Sequence, residues 1–479
     1  IAYYPHPKSC IYKLNSSKTM KHITKYFALA GALMLFSSCN DFLDTLPKGK
    51  VIPTTVEDFG NLMKDMTLST AYDGLPYYCS DDVLIPNRSI NMSNATNKAY
   101  FWLESFYLDS EDDQNWNDTY NHLFTINVVL ENIEGATGGT EEERRRIAAE
   151  AKIFRAYNYW YLQSLYGPAY NAATASTDLS VPLVTEPNLE AKHSRATVEQ
   201  VTAQILKDLE GIEQDLPIMG SNNYKPTRAA AYAMKARVLF YLGRYDEAGK
   251  EAEKALELNN KIDDMREWSF PTEFPSGSIN GKPTDITSLQ KIWYHSVNGS
   301  GALSQVAIGE GLLELYKKND KDLRFKFWFS NVDNKGEFFY DENTYCYIQT
   351  TPNYNIGVPE MMLIKAEALA RQNDPAALDI LNELRKYRFT EEDYTALTAE
   401  DGNSLLEIVL EERRRELALS GLRWFDMKRL VQDGIYTQTL TRTSPDGETH
   451  TLAPGSNRYL FPIPQSVILQ NGNIVQNPR

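Results

Sequence analysis

Residues 224–260 constrain the fold of this chain more than any other stretch. From Ala233 they read A-x-x-A-R-V-L-F-Y-L-G-R-Y-D-E-A-x-x-x-A-x-x-A-L-E-L-N. Ala229, Ala233, Ala236 and Phe240 recur at intervals of three and four, as do Ala248, Ala252 and Ala255, so each set lies on one face of a helix. Gly243 breaks the first helix and Tyr245 opens the second. Alanines on both facing stripes let the helix axes approach closely, with Leu239, Phe240, Tyr245 and Leu256 adding apolar area around the contact. The spacing predicts an antiparallel helical hairpin.

Gly243, Tyr245, Ala248 and Ala255 also fall where the tetratricopeptide repeat, a unit of about 34 residues, has its turn glycine, turn aromatic and packing alanines. An alanine-rich hairpin of an ordinary helical bundle has the same spacing, and neither form carries chemistry. One such hairpin leaves an apolar face open, so further helical pairs are expected beside it. Residues 361–371 with 376–387, and 404–420 with 423–431 around Gly421, supply them. Thr54, Thr55, Glu57 and Asp58 favour a helix start, and residues 100–133 keep helical spacing through Trp116, Tyr120 and Leu123. Thr140 with Glu143, and Thr197 with Gln200, have capping-box spacing. They open a long apolar stripe ending at Gly167-Pro168 and a helix running through Leu216.

Periodicity fails in two places, about 72–97 and 261–351. The first holds Asp73, Gly74, Pro76, Tyr77, Tyr78, Asp81 and Asp82 and reads as a long polar loop with exposed aromatics; long ordered loops are often functional. The second has short strand signals at 292–294 and 345–348, a brief helix around Leu312–Tyr316 and the aromatic run Phe325, Phe327, Trp328 and Phe329. The tail, with Phe461-Pro462-Ile463-Pro464, is expected to lie extended against the bundle.

Net charge is −15, which argues against nucleic acid as a partner. Met20, Lys21, His22 and Lys25 precede an apolar run, 27–36, too short for a permanent span. It reads as a signal peptide at 20–38, with 1–19 upstream of the start. Ser37-Ser38-Cys39 resembles a lipobox, making Cys39 the acylation site and 39–50 a lipidated tether; the alternative is an ordinary secretory signal with a chance cysteine. Residues 51–479 then form a single helical domain. Cys79 and Cys346 remain as either a disulfide or two lone buried thiols.

Several stretches jointly resemble one family, the SusD/RagB-like outer-membrane nutrient-binding lipoproteins. They are C-N-D-F-L-D-T-L at 39–46, A-E-A-K-I-F-R-A-Y-N-Y-W-Y-L-Q-S-L-Y-G at 149–167, residues 230–248, L-I-K-A-E-A-L-A-R at 363–371, E-E-R-R-R-E-L-A-L-S-G-L-R-W-F-D-M-K-R at 411–429, and Phe461 to Pro464 with Gln476-Asn477-Pro478. The resemblance implies a mainly α fold of stacked tetratricopeptide-like helix pairs, with an irregular, loop-rich ligand-binding part containing short strands. It also implies attachment to the outer membrane through lipid, facing outward, and capture of a glycan or peptide for a SusC-like TonB-dependent barrel transporter. It does not identify the ligand.

Sugar capture needs aromatic faces together with carboxylates and amides. Tyr72, Tyr77, Tyr78, Asp81, Asp82, Trp102, Trp268 and Phe270 are the candidate lining, all in or beside the irregular stretches. For each aromatic, packing onto the core is the competing role. Trp268→Ala and Trp102→Ala are expected to weaken binding with little change in stability. Trp116, Trp160 and Trp424 sit on helical stripes and belong to the core. Asp109, Glu111, Asp112 and Asp113 lack the glycine of an EF-hand and read as a solvated acidic turn; Glu411 and Arg415 read as a helix-face pair.

The chain has no H-E-x-x-H, G-x-S-x-G, Walker or G-x-G-x-x-G motif and no metal-ligand cysteine pattern, so no catalytic residue, metal or cofactor is expected. A lipid-anchored protein–protein scaffold is the alternative function, and a glycoside hydrolase, whose carboxylate separation a sequence does not reveal, is a weaker one.

Overall fold

The computed structural model describes residues 53–71, 74–109, 111, 113–297, 306–349, 354–399 and 404–479. The signal segment, Cys39, the tether, Tyr72 and Asp112 lie outside the described residues.

The hairpin at the middle of the chain forms as its spacing demands. Helices Arg228–Tyr241 and Tyr245–Leu258 flank Gly243, whose φ of +73° is a left-handed turn that a side chain would strain. Ala233, Ala236, Ala248, Ala252 and Ala255 are all fully buried. Against the second helix lies Val358–Arg371, and a Cβ added to Gly249 would sit 2.9 Å from the Ala368 Cβ. Small residues thus set the spacing between successive pairs as well as within one. Val358–Arg371 in turn packs on Ala376–Arg385 and on Leu405–Glu416, extending the stack as a lone hairpin's open face requires.

On the other flank, Glu141–Tyr166 runs between Gln114–Asn132 and Val198–Asp208. Its capping box is present, with Glu143 N–H donating to Thr140 Oγ1 at 3.1 Å and Thr140 N–H to Glu143 Oε2 at 2.7 Å. Ile153, Tyr159, Tyr161, Leu162 and Leu165 are fully buried, so this helix is covered on nearly every side, as core helices are. The Thr197–Gln200 box also forms, although its helix stops at Asp208, short of Leu216.

Several local expectations need correction. Residues 72–97 are not a plain polar loop: they include helices Leu75–Cys79, with Pro76 in its first turn, and the start of Ala95–Tyr100. Among its described residues the two aromatics are not exposed, since Tyr77 and Tyr78 are only 1% and 2% accessible. The helix expected over 100–133 begins at Gln114, because Trp102 takes a φ of +54° that ends the preceding helix, and Asp113 caps the new one. That capping role, with Tyr166 Oη donating to Asp113 Oδ2 at 2.5 Å, also removes Asp113 from the solvated turn. The tail is extended at Phe461, whose N–H donates to Leu165 O at 2.9 Å, but it also holds a hairpin, Leu440–Thr443 with Thr449–Leu452, and a helix, Gln465–Gln470. Cys79 and Cys346 are both buried and form no disulfide with each other; the Cys79 thiol donates to Ala99 O at 3.4 Å.

The irregular stretch builds a second apolar cluster around a four-stranded antiparallel sheet in the order Val83–Leu84, Ala307–Ile308, Cys346–Tyr347, Phe329–Ser330. Between this cluster and the helical stack stands Leu405–Glu416, whose E-E-R-R-R-E run serves several partners at once. Glu412 and Glu416, one turn apart, both meet Arg324, at 2.8 and 2.9 Å. Arg413 turns to Asp426 at 2.9 Å, and Arg415 takes Glu411 at 3.1 Å as its spacing predicts. Removing one member of such a buried pair leaves an uncompensated charge and costs about 3–5 kcal/mol.

Candidate ligand-binding cavity

The described candidates from the sequence do not converge on one site. Tyr77 Oη donates to Ala418 O at 2.8 Å, and its ring stands edge-on to Tyr78 and Tyr347 inside the second cluster. Asp81 accepts two bonds from Arg423, at 2.7 and 2.8 Å, with Arg414 at 3.2 Å. Burial pushes the Asp81 carboxyl up, but Arg414 and Arg423 outweigh it and hold the group well below the usual carboxylate range. Asp82 accepts from Arg414 Nε at 2.7 Å, and its backbone O takes Tyr347 Oη at 2.7 Å.

Trp102 is 3% accessible and donates through Nε1 to Cys79 O at 2.9 Å. The guanidinium of Arg442 lies 3.8 Å from the Tyr100 ring centroid and 4.3 Å from that of Trp102. It also donates to Tyr78 O at 3.1 Å and Ser80 O at 2.5 Å. The aromatic platform near Trp102 is therefore covered by the protein's own arginine, carried on the unexpected C-terminal hairpin.

Trp268 is placed differently. With Trp328 and Tyr294 it lines a cavity of about 540 Å³ between the irregular stretch and the turn after Leu405–Glu416. That volume is in the range of small-molecule sites. Phe270 is half-buried and stands behind the wall, its ring 5.3 Å from Phe327, which also meets Trp268 edge-on at 5.7 Å.

The wall comes from a short extended run. In 293–296, Trp293 and His295 are buried in the interior while Tyr294 and Ser296 line the cavity, the two-residue alternation of a strand. Strand Lys291–Trp293 pairs with Ile356–Gly357, and Gly357 starts helix Val358–Arg371, so the cavity is fixed to the helical stack. Burial, then the nearby Asp285 charge, pushes the Tyr294 hydroxyl up to about 12, so it stays a neutral donor at physiological pH. Behind this wall the His295 ring stacks on Tyr157 at 3.8 Å, and burial with the Arg237 charge keeps it neutral.

The polar groups of the cavity are mostly compensated. Glu360 is held by Arg237 at 2.8 and 2.5 Å, and Glu416 by Arg388 at 2.9 and 2.7 Å. Asp263 accepts from Ser288 Oγ at 2.5 Å, and Asp285 pairs with Lys291. Lys282 Nζ donates to Gln349 Oε1 at 2.6 Å. Two lysines and two aspartates around flat rings make a lining with little net charge, suited to hydroxyl-rich ligands. Among the described residues no group of acidic, histidine or cysteine side chains is arranged to hold a metal ion.

Sequence reasoning missed Trp328, Tyr294, Lys282 and Gln349 as lining. Tyr294 was findable: strict alternation in Trp293-Tyr294-His295-Ser296 sends it to the face opposite two core residues. Trp328 lies in an aromatic run with no such signal.

The family model for SusD-like proteins, described as starch-binding and associating with the outer membrane, matches residues 41–242, and the SusD family model matches residues 338–479. SusD-like protein P2 of Formosa agariphila is 24% identical over 415 residues, which is 76% of this chain and 79% of that protein. A SusD superfamily protein from Bacteroides thetaiotaomicron superposes with a TM-score of 0.69 at 20% identity, covering 89% of this chain and all of that one. A SusD-like carbohydrate binding protein from Bacteroides vulgatus superposes with a TM-score of 0.61 at 21% identity over 88% of this chain and 97% of that one. Two models in tandem order, a relative matched over most of its length and the stacked helical pairs agree: this chain belongs to the SusD/RagB-like family.

Proposed function

We propose that this protein captures a neutral glycan at the bacterial cell surface and delivers it to a TonB-dependent outer-membrane transporter. The observation that carries the reading is the cavity of about 540 Å³, in which Trp268, Trp328 and Tyr294 supply ring surfaces among charge-compensated polar groups. Apolar sugar faces stack on such rings, while hydroxyls exchange hydrogen bonds with Tyr294, Lys282 and Gln349. Capture is reversible and needs neither a covalent step nor a cofactor. Glu360 and Glu416, the buried carboxylates of the wall, are each tied to arginines, which disfavours the acid and base roles of a glycosidase.

The family's outer-membrane association supports the location, and Cys39 is the proposed lipid anchor. Replacing it by serine should release the protein from membranes; persistent attachment would remove Cys39 from that role.

Affinity electrophoresis through xylan, glucomannan, laminarin and amylopectin tests the capture step. At least one polymer should retard the protein and emerge unshortened, and Tyr294→Ala should relieve the retardation. Shortened polymer would make it an enzyme. Retardation by none, with a bound protein partner instead, would favour a scaffold.

A further inference from the structure

A second hollow, of about 440 Å³, opens on the flank of helix Gln114–Asn132 and shares no lining residue with the cavity around Trp268. In a chain where 24% of residues are charged, its lining contains no acidic or basic side chain apart from a histidine. Four amides dominate it. Asn117 and Asn121 stand one turn apart on the helix, and Gln470 and Asn471 face them from the C-terminal segment.

The Asn117 and Asn121 side-chain amides are hydrogen-bonded to no other described residue, so donors and acceptors on that helix face remain open. His193 Nε2, at the same hollow, is a buried ring nitrogen with no partner among the described residues. Beside the amides lie Trp116 and Tyr120, with ring centroids 5.1 Å apart. Tyr120 is half-buried, and its hydroxyl is fixed by Pro182 O at 2.8 Å, so its ring is held in one orientation. The far wall is rigid as well, because Asn471 Nδ2 donates to His193 O at 2.9 Å and Arg195 Nη1 to Val475 O at 3.1 Å.

We propose that this hollow is a second saccharide-binding subsite, for a neutral stretch of the same polymer that the first cavity captures. An oriented ring with open amides matches the apolar face and hydroxyl edge of an uncharged sugar, whereas a peptide terminus or an anionic polymer finds no counter-charge in the lining. The inference rests on the reading of the chain as a glycan binder. Two subsites on one polymer turn the second contact into an intramolecular event, so the gain appears with long chains and not with short ones.

The experiment compares wild type, N117A/N121A, Tyr294→Ala and the triple variant by affinity electrophoresis in xylan, glucomannan, laminarin and amylopectin, with a casein hydrolysate as competitor. In the polymer that retards wild type, N117A/N121A should weaken retention about tenfold or more, and the triple variant should abolish it. The thermal midpoint of N117A/N121A should not move, since neither amide holds a protein group. Unchanged retention of N117A/N121A overturns the second subsite while leaving the cavity reading intact. Competition by the hydrolysate at this hollow overturns its assignment to sugar. Failure of every polymer to retard wild type overturns both.

Discussion

Tyr77, Tyr78, Trp102, Asp81 and Asp82 are close chemical counterparts of Trp268, Tyr294, Asp263 and Asp285, yet the two regions face different partners. In the first, Arg414 and Arg423 reach in from the C-terminal part of the chain to the carboxylates and Arg442 covers the Trp102 ring, while Tyr77 and Tyr78 are buried in the second apolar cluster. In the second, Lys291 and Ser288 compensate the aspartates locally, and the rings of Trp268, Tyr294 and Trp328 are left around a cavity. Aromatic and acidic residues in a loop therefore do not mark a ligand site by themselves. What decides is whether a distant arginine occupies them first, since a guanidinium satisfies a carboxylate fork and a ring face as well as a ligand does.

The comparison breaks most readily at its arginines. Arg423→Ala leaves Asp81 buried without its two-pronged partner and should cost about 3–5 kcal/mol, read as a lowered denaturant midpoint; a change within experimental scatter would mean that Asp81 is not structurally committed. Trp102→Ala should cost about 3 kcal/mol or more, as a buried tryptophan does, while polysaccharide retention of the folded fraction stays at the wild-type level. This reverses the expectation of a stability-neutral variant, because Trp102 is packed against Arg442 and bonded to Cys79. Trp268 is 8% accessible and packs on Phe327, so Trp268→Ala should lose both binding and some stability.

Acid should erode the arginine-bound region. Burial pushes Glu412 up, but Arg324, Arg385 and Arg415 prevail and hold it well below the ordinary carboxylate range. A folded-state pKa below the unfolded one gives stability that is present at neutral pH and lost as pH falls below about 4. Thermal midpoints measured from pH 6 to pH 2 should fall in that acid limb, and Glu412→Gln should flatten it. The smallest expected stability effect is at the cavity: Tyr294→Ala, half-buried, should cost about 1 kcal/mol or less yet weaken polysaccharide retention about tenfold, equivalent to ~1.4 kcal/mol. A large stability loss with intact retention would return Tyr294 to a purely structural role.

Much of the scaffold was legible because it rests on local rules. The capping boxes at Thr140 and Thr197 and the turn at Gly243 are satisfied by neighbours a few residues away, and all form as read. The long-range partners were not legible. Nothing near Asp81 in sequence announces Arg423, 342 positions on, and nothing near Trp102 announces Arg442. The hairpin bearing Arg442 was itself missed, since residues 440–452 are polar and give a faint strand signal.

The amino-acid sequence by itself determined the paired helices, because alanine spacing, caps and a left-handed glycine act over one or two turns and fix local geometry whatever surrounds them. The tertiary structure alone decided which aromatic and acidic residues stay available to a ligand. That outcome depends on guanidiniums delivered from the other end of the chain, and local periodicity carries no information about where a side chain hundreds of residues away will arrive.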